Sequence, residues 1–153
     1  VVTAADEKEL EGAADHVVVV KTFYDVLIAG SRLAQLADQK NELKDLEQHS
    51  LITLERHTSS YEFYSQFYLK NGLTMRPDIE VATADLILPM VEKNLGIGFL
   101  PYELAEQALE EGRVFEIPLK ESIPERRICM LYDTKREIGA AGRRFREMVV
   151  TRA

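Results

Sequence analysis

Apolar positions along the chain repeat with the period of a strand in some segments and with the period of a helix in others. Runs rich in β-branched and aliphatic residues, which are typical of strands, lie at 16–20, 24–30, 51–55, 78–83, 96–101, 114–120 and 126–133. Apolar residues spaced three and four positions apart predict helices at 58–72, 84–94, 102–112 and about 137–150. Because strands and helices alternate from residue 51 onward, the pattern predicts an α/β fold, a largely parallel open sheet with helices on both faces.

Residues beside these segments predict where the helices begin and end. Ser59 and Glu62 have the spacing of a capping box, and Asn71-Gly72 provide a C-terminal stop. Pro89 lies beyond the first turn of the next predicted helix. We therefore expect Pro89 to remove a backbone hydrogen bond and to kink that segment.

The size and composition of the chain are those of a globular protein. It has 153 residues, of which 46% are hydrophobic and 29% charged, enough for one domain with a sizeable core. Its longest apolar run, 86–91, is far shorter than the roughly 20 residues of a membrane helix, so we expect a soluble protein without a membrane partner. The Val-Val-Thr start resembles the end of a strand and shows no signal-peptide pattern, which suggests a fragment of a longer protein.

Net charge and cysteine content narrow the possible partners and the compartment. The formal net charge of −7 argues against a chain that holds nucleic acid by itself, because such binding rests on a surplus of Lys and Arg. The single cysteine, Cys129, lies in a predicted strand, so a buried reduced thiol is expected and an intrachain disulfide is excluded. A reducing, cytoplasmic location fits this pattern.

Two glycines in the run 94–101 invite comparison with a nucleotide-binding loop. Such a loop needs G-x-G-x-x-G after a strand and before a helix, but here Gly96 and Gly98 precede the strand and Pro101 occupies the third position. Close packing of a helix on a strand, with little room for a side chain, is the favoured interpretation.

The segment 56–60 is a stronger candidate for ligand binding. It follows the carboxyl end of a strand and opens a helix, where open α/β sheets place their ligands. Hydroxyls of Thr58, Ser59 and Ser60, with the free N–H groups of a helix start, suit a carboxylate or phosphate. Thr83 occupies the equivalent position one unit later. Capping of the helices alone would also account for these residue types.

Catalytic and metal-binding patterns are weak. The serines lack a G-x-S-x-G elbow, and His57 is two residues from Ser59, where side chains at a helix start usually point apart. His16, His49 and His57 are scattered and show no metal-ligand spacing. We expect neither an enzyme nor a bound metal or cofactor.

In the order of its blocks the chain resembles the effector-binding regulatory domain of LysR-type transcriptional regulators. The similarity rests on five blocks that cover nearly the whole chain: FYDVLIAGSRLA, LITLERHTSS, DIEVATADLILPMVEKNLGIGFLP, GRVFEIPL and AAGRRFREMV. The block at 78–101 is the most specific of them.

The resemblance implies two lobes like those of periplasmic solute-binding proteins, with a small effector held in a cleft between them. Residues 1–14 and 124–153 would be the incomplete remnant of the first lobe, and 15–123 the second lobe. The DNA-reading helix-turn-helix and the start of the first lobe would lie outside this chain. Such regulators are dimers or tetramers, and DNA would be contacted only through the missing domain.

The resemblance also implies site residues. Thr58, Ser59 and Ser60 are similar to the family's helix-start effector contacts and Thr83 to their neighbour. The backbone of Gly96, Ile97 and Gly98 would line the cleft. We therefore expect a ligand-sensing domain for a small organic anion.

Two other classes of protein remain open. A free-standing solute-binding protein has the same kind of lobes, and an export signal upstream of this chain would favour it. An enzyme on the same scaffold would need a nucleophile paired with a base in the cleft, and the sequence offers no convincing pair.

Overall fold

A computed structural model describes residues 2–5 and 16–132 of the chain. Its eight strands are β1 Val2–Ala5, β2 His16–Phe23, β3 Asp25–Ala29, β4 Leu51–Leu54, β5 Ile79–Val81, β6 Ile97–Pro101, β7 Phe115–Glu116 and β8 Arg126–Tyr132. Its α-helices are α1 Ser59–Lys70, α2 Ile87–Glu92 and α3 Tyr102–Glu110. Shorter 3-10 segments span Ser31–Asp38, Leu43–Gln48 and Ala84–Leu86. The helix predicted at about 137–150 lies outside the described residues.

The described chain divides into two compact units. The first contains β1, β2 and β8, and the second is Tyr24–Pro124. The change of unit at Tyr24 comes later than the domain start predicted at residue 15. The physical reason is the pairing of β2, whose residues are hydrogen-bonded to β8 and so belong to the first unit.

The first unit is a three-stranded antiparallel sheet in the order β1-β8-β2. Its central strand, β8, pairs with β1 on one side and β2 on the other, and a bulge interrupts β2 between Val19 and Lys21. The backbone of Cys129 lies opposite Thr3 and Val19 in this sheet. The burial of its thiol remains a prediction.

The second unit contains a five-stranded mixed sheet in the order β5-β4-β6-β3-β7. Strands β5, β4 and β6 are parallel, whereas β3 runs antiparallel to both β6 and β7. The predicted α/β class is confirmed, and parallel pairing is limited to these three strands. Strand β3 enters this sheet directly from β2, after the single residue Tyr24 and without a crossover helix.

Helices cover both faces of this sheet because side chains alternate along each strand. In β3, Leu27 and Ala29 join one buried cluster, together with Tyr64 and Phe67 of α1. The intervening β3 residues Val26 and Ile28 join the other cluster, together with residues of α2 and α3. We call these the α1 face and the α2/α3 face.

Two helix starts differ from the sequence prediction. Thr58, not Ser59, is the N-cap of α1: its backbone is extended and its hydroxyl accepts a hydrogen bond from the N–H of Tyr61. The predicted capping box of Ser59 and Glu62 is therefore wrong by one residue. Pro89 lies in the first turn of α2, because a separate 3-10 turn precedes that helix, and there a missing N–H breaks no bond within the helix.

Candidate functional site

The carboxyl ends of β4 and β6 form a topological switch point in the second unit. These strands are parallel neighbours, and their following helices lie on opposite faces: α1 after β4 on the α1 face, α3 after β6 on the other. The connection from β4 leads to β5 and the one from β6 leads to β7, at the two opposite edges of the sheet. Open α/β sheets bind ligands in the crevice that such diverging connections leave.

The loop from β4 to α1 is held by the hydroxyl of Thr58. This hydroxyl donates to the carbonyl of Glu55 at 2.9 Å and accepts from the N–H of Tyr61 at 3.1 Å. Residue 57, between them, has a left-handed backbone with φ of 77°, which is uncommon for a side chain such as histidine. The N-cap hydroxyl thus fixes a tight loop at the edge of the crevice.

Hydroxyls of Ser59 and Thr83 are available to a ligand. Ser59 is the first residue of α1 and is exposed, and its hydroxyl has no hydrogen-bond partner in the described chain. Thr83 follows β5 at the same edge, is also exposed, and its side chain makes no capping bond. Ser60 is half-buried in the first turn of α1. The structure therefore places Thr58, Ser59, Ser60 and Thr83 at one edge of the sheet, and their common role in binding stays a prediction.

Charges near the loop include one cation. Arg56 has a largely exposed side chain that pairs with Glu80 of β5 at 3.4 Å. This ion pair is long and exposed to solvent, so breaking it costs little free energy. The guanidinium of Arg56 can therefore bind an anionic ligand instead. Arg56 thus adds a positive charge beside the helix start.

The sequence did not predict the contacts that aromatic and acidic residues make at this edge of the sheet. The rings of Tyr24 and Tyr102 are stacked with centroids 5.0 Å apart, and the N–H of Tyr102 donates to the carbonyl of Tyr24. Beneath the α1 face, the hydroxyl of Tyr64 donates to the Asp25 carboxylate at 2.7 Å, and both residues are buried. These partners are far apart in sequence, so no local spacing signalled them.

Desolvation raises the pKa of Tyr102, and the nearby Glu106 and the ring of Tyr24 add to this effect. Its phenol is protonated at neutral pH, as that of an unperturbed tyrosine would be, and can donate a hydrogen bond.

The glycine segment lies at the opposite edge of the sheet, so the expectation that it lines the same site is corrected. Ile97 pairs with Leu51 at the beginning of both parallel strands, whereas Thr58 follows their carboxyl ends. A Cβ on Gly98 would lie 2.9 Å from a methyl of Ile87 in α2, and one on Gly96 would lie 2.6 Å from a backbone oxygen. Close packing of a helix on a strand, as predicted, explains Gly98, whereas Gly96 is explained by the close approach of the backbone at Ser50.

Metal-ligand groups and a hydrogen-bonded His57–Ser59 pair are both absent from the described residues. No group of three or more His, Cys, Asp and Glu side chains in residues 2–5 and 16–132 could hold a metal ion. His57 and Ser59 share no hydrogen bond there. No helix in the described part of the chain is long and apolar enough to cross a membrane.

Fold and site together define an α/β ligand-binding domain of two units. The chain belongs to the LysR substrate binding domain family, which matches residues 15–153 and is not a family of enzymes. It is 25% identical over 148 residues to the RuBisCO operon transcriptional regulator of Allochromatium vinosum. That alignment covers 96% of this chain and 46% of the regulator, so the chain spans less than half of its relative's length.

Solved structures of LysR-type regulatory domains have the same fold. The CcmR regulatory domain of Synechocystis PCC6803, in complex with 2-PG, matches with a TM-score of 0.79 and 14% identity over 98% of this chain and 71% of that one. The QuiR effector-binding domain in complex with shikimate matches with a TM-score of 0.74 and 14% identity. This match covers 98% of this chain and 70% of that one. The CrgA regulatory domain of Neisseria meningitidis matches with a TM-score of 0.68 and 13% identity. This match covers 99% of this chain and 74% of that one.

Proposed function

We propose that this chain is the effector-sensing part of a LysR-type transcriptional regulator and that a small organic anion binds at the carboxyl edge of the sheet in the second unit. The observation that carries the proposal is the switch point between β4 and β6, where the hydroxyl of Ser59, unpaired in the described chain, lies at the start of a 12-residue helix. Family membership supports the same function.

Three residues would contact the effector, and a fourth would shape the loop that presents them. The hydroxyls of Ser59 and Thr83 would donate to its anionic group, and Ser60 would contribute from the first turn of α1. Thr58 would keep the loop in shape, because its hydroxyl already serves as donor and acceptor. Gly96, Ile97 and Gly98 are left out of the contact set, because they begin β6 at the far edge.

An anionic effector is favoured by charge. The helix start carries the positive end of the α1 dipole, and Arg56 adds a guanidinium. Two relatives of the same fold support this chemistry, since one was solved with shikimate and a HypT regulatory domain from Salmonella typhimurium was solved with bromide.

The mechanism would be a shift of population. An effector that binds one arrangement of the regulator more tightly than another favours that arrangement by the difference in binding free energy, and no bond is made or broken. The regulator would be a cytoplasmic dimer or tetramer. DNA would be bound by a domain outside this chain, which agrees with the net charge of −7 here.

Calorimetric titration of the chain with organic carboxylates, including shikimate and 2-PG, tests the proposal. Ser59→Ala and Thr83→Ala should each weaken binding roughly three- to ten-fold by removing one hydrogen bond. Ser65→Ala makes the same change later in α1 and should have no effect. Equal losses for Ser59→Ala and Ser65→Ala, or equal affinity for shikimate and its uncharged methyl ester, would contradict the proposed site.

A further inference from the structure

A cavity of about 360 Å³ lies at the opposite, amino edge of the same sheet. It opens where β4 and β6 begin, between the 3-10 segment Leu43–Gln48, the end of α1 and the loop that leads to β5. Its apolar wall consists of Leu46, Leu51, Leu73 and Ile97. Its volume falls within the range of small-molecule sites, roughly 300 to 1,000 Å³.

Tyr68 of α1 supplies a phenol on the wall of this cavity. Its side chain is 5% exposed, and no hydrogen bond in the described chain engages its hydroxyl. Burial, and then the Glu47 carboxylate, raise the pKa of Tyr68, so the phenol stays neutral and keeps its proton to donate. Because this hydroxyl is not bonded within the described chain, it can donate a hydrogen bond to a molecule in the cavity.

Two opposite charges and an imidazole line the same cavity. Glu47 and Arg76 are exposed, and neither makes an ion pair with another described residue. His49, between the 3-10 segment and β4, is half-buried, and its ring has no hydrogen-bond partner in the described chain. The cavity therefore offers an anionic group, a cationic group and a neutral donor around an apolar wall.

We infer that this cavity is a second ligand site for a small zwitterion with an apolar body, of which an apolar α-amino acid is the simplest example. Arg76 would bind the carboxylate, Glu47 the ammonium group, and the leucines and Ile97 the apolar side chain. A simple carboxylate would face the charge of Glu47, and a simple amine would face that of Arg76. Only a ligand with both groups satisfies the two charges together.

This second site is separate from the proposed effector site. The cavity lies where β4 and β6 begin, and Thr58 follows the end of β4. None of its lining residues belongs to the loop from β4 to α1. The inference therefore does not depend on the proposed function, and each can fail while the other holds.

Amide NMR titration of the 153-residue chain with L-leucine and L-phenylalanine tests the inference. The expected result is saturable shifts for residues 46–49 and 72–76, with no change at 58–60. Isocaproate, which lacks the ammonium group, and isoamylamine, which lacks the carboxylate, should each bind at least ten-fold more weakly. Absence of shifts with both amino acids, or shifts confined to 58–60, would overturn the inference.

Variants of the polar groups give a second readout. Arg76→Gln and Glu47→Gln should each weaken L-leucine binding roughly ten-fold, because each removes a charged partner at an exposed position. Tyr68→Phe should weaken it roughly three-fold. The matched control Arg56→Gln, at the other edge of the sheet, should bind L-leucine as the unmodified chain does. Equal affinity of Arg76→Gln and Arg56→Gln would overturn the assignment of Arg76.

Discussion

Thr53 in β4 holds a buried side-chain oxygen without a hydrogen-bond partner in the described chain. Its side chain is 1% exposed, so the hydroxyl has lost its hydrogen bonds to water and forms none within the described chain. We expect Thr53→Val to raise the free energy of unfolding by about 1 kcal/mol, measured by urea denaturation.

Thr22→Val is the control for this change, because Thr22 is an exposed threonine in strand β2 and should respond weakly. A loss of stability in Thr53→Val would show that the hydroxyl is satisfied in solution, for example by a buried water molecule.

Tyr68 gives a prediction for alkaline pH. Its folded-state pKa is raised by burial and by Glu47, so the folded protein holds the phenolic proton more tightly than the unfolded chain. This contribution to stability is fully present below the unfolded value of about 10 and is lost as pH rises through the folded value. The free energy of unfolding of the chain should therefore fall relative to that of Tyr68→Phe above pH 10.

Urea unfolding of both proteins between pH 8 and 11 measures this difference. Tyr61→Phe, which changes a half-buried tyrosine of the same helix, corrects for the ionisation of other tyrosines. A constant difference between the chain and Tyr68→Phe across this range would contradict the raised pKa.

The residue that caps the N-terminus of helix α1 can be tested directly. The sequence offers three hydroxyl residues in a row, and spacing alone favoured Ser59 as the cap. The structure selects Thr58, whose extended backbone directs its hydroxyl to the N–H of Tyr61. Thr58→Ala should lower the unfolding free energy by about 1 kcal/mol, whereas Ser59→Ala should change it by less than about 0.5 kcal/mol.

Thermal unfolding of the two variants in parallel measures these effects. A larger loss of stability for Ser59→Ala than for Thr58→Ala would show that Ser59 is the N-cap, as the sequence suggested. Because Ser59 is also a proposed ligand contact, the comparison must be made without effector.

A buried hydrogen bond joins α1 to β3. Tyr64 donates to the Asp25 carboxylate across 39 positions of sequence, and its ring stacks on Phe99. Tyr64→Phe should cost about 2 kcal/mol of unfolding free energy, since it removes a donor from a buried acid. Tyr61→Phe is the matched control in urea denaturation, and similar losses for both would show that the bond contributes little.

Local patterns predicted the strands and helices of the second unit well, because each has its own period and its own end signals. The sequence did not predict the antiparallel direction of β3, which depends on where the chain enters the sheet. Nor did it predict the pairs Tyr64–Asp25 and Tyr24–Tyr102, which arise only when distant segments pack.

Across the molecule, the order of blocks predicted the family, and the family match confirms it. Four of the predicted site residues lie at one edge of the sheet, and their role in binding stays a prediction. Thr58, Ser59, Ser60 and Thr83 follow parallel strands, and parallel strands end at one edge. The segment Gly96–Gly98 begins a strand, so the same rule places it at the other edge. The cavity around Tyr68 had no sequence signal, because its walls come from five separate segments.

The most direct test of the central claim is amide NMR titration of the chain with shikimate, 2-PG and related organic anions. Binding at the carboxyl edge predicts saturable shifts at residues 56–61 and at Thr83, weakened in Ser59→Ala and unchanged in Ser65→Ala. Shifts confined to other segments, or shifts at 56–61 that Ser59→Ala leaves intact, would contradict an effector site at the start of α1.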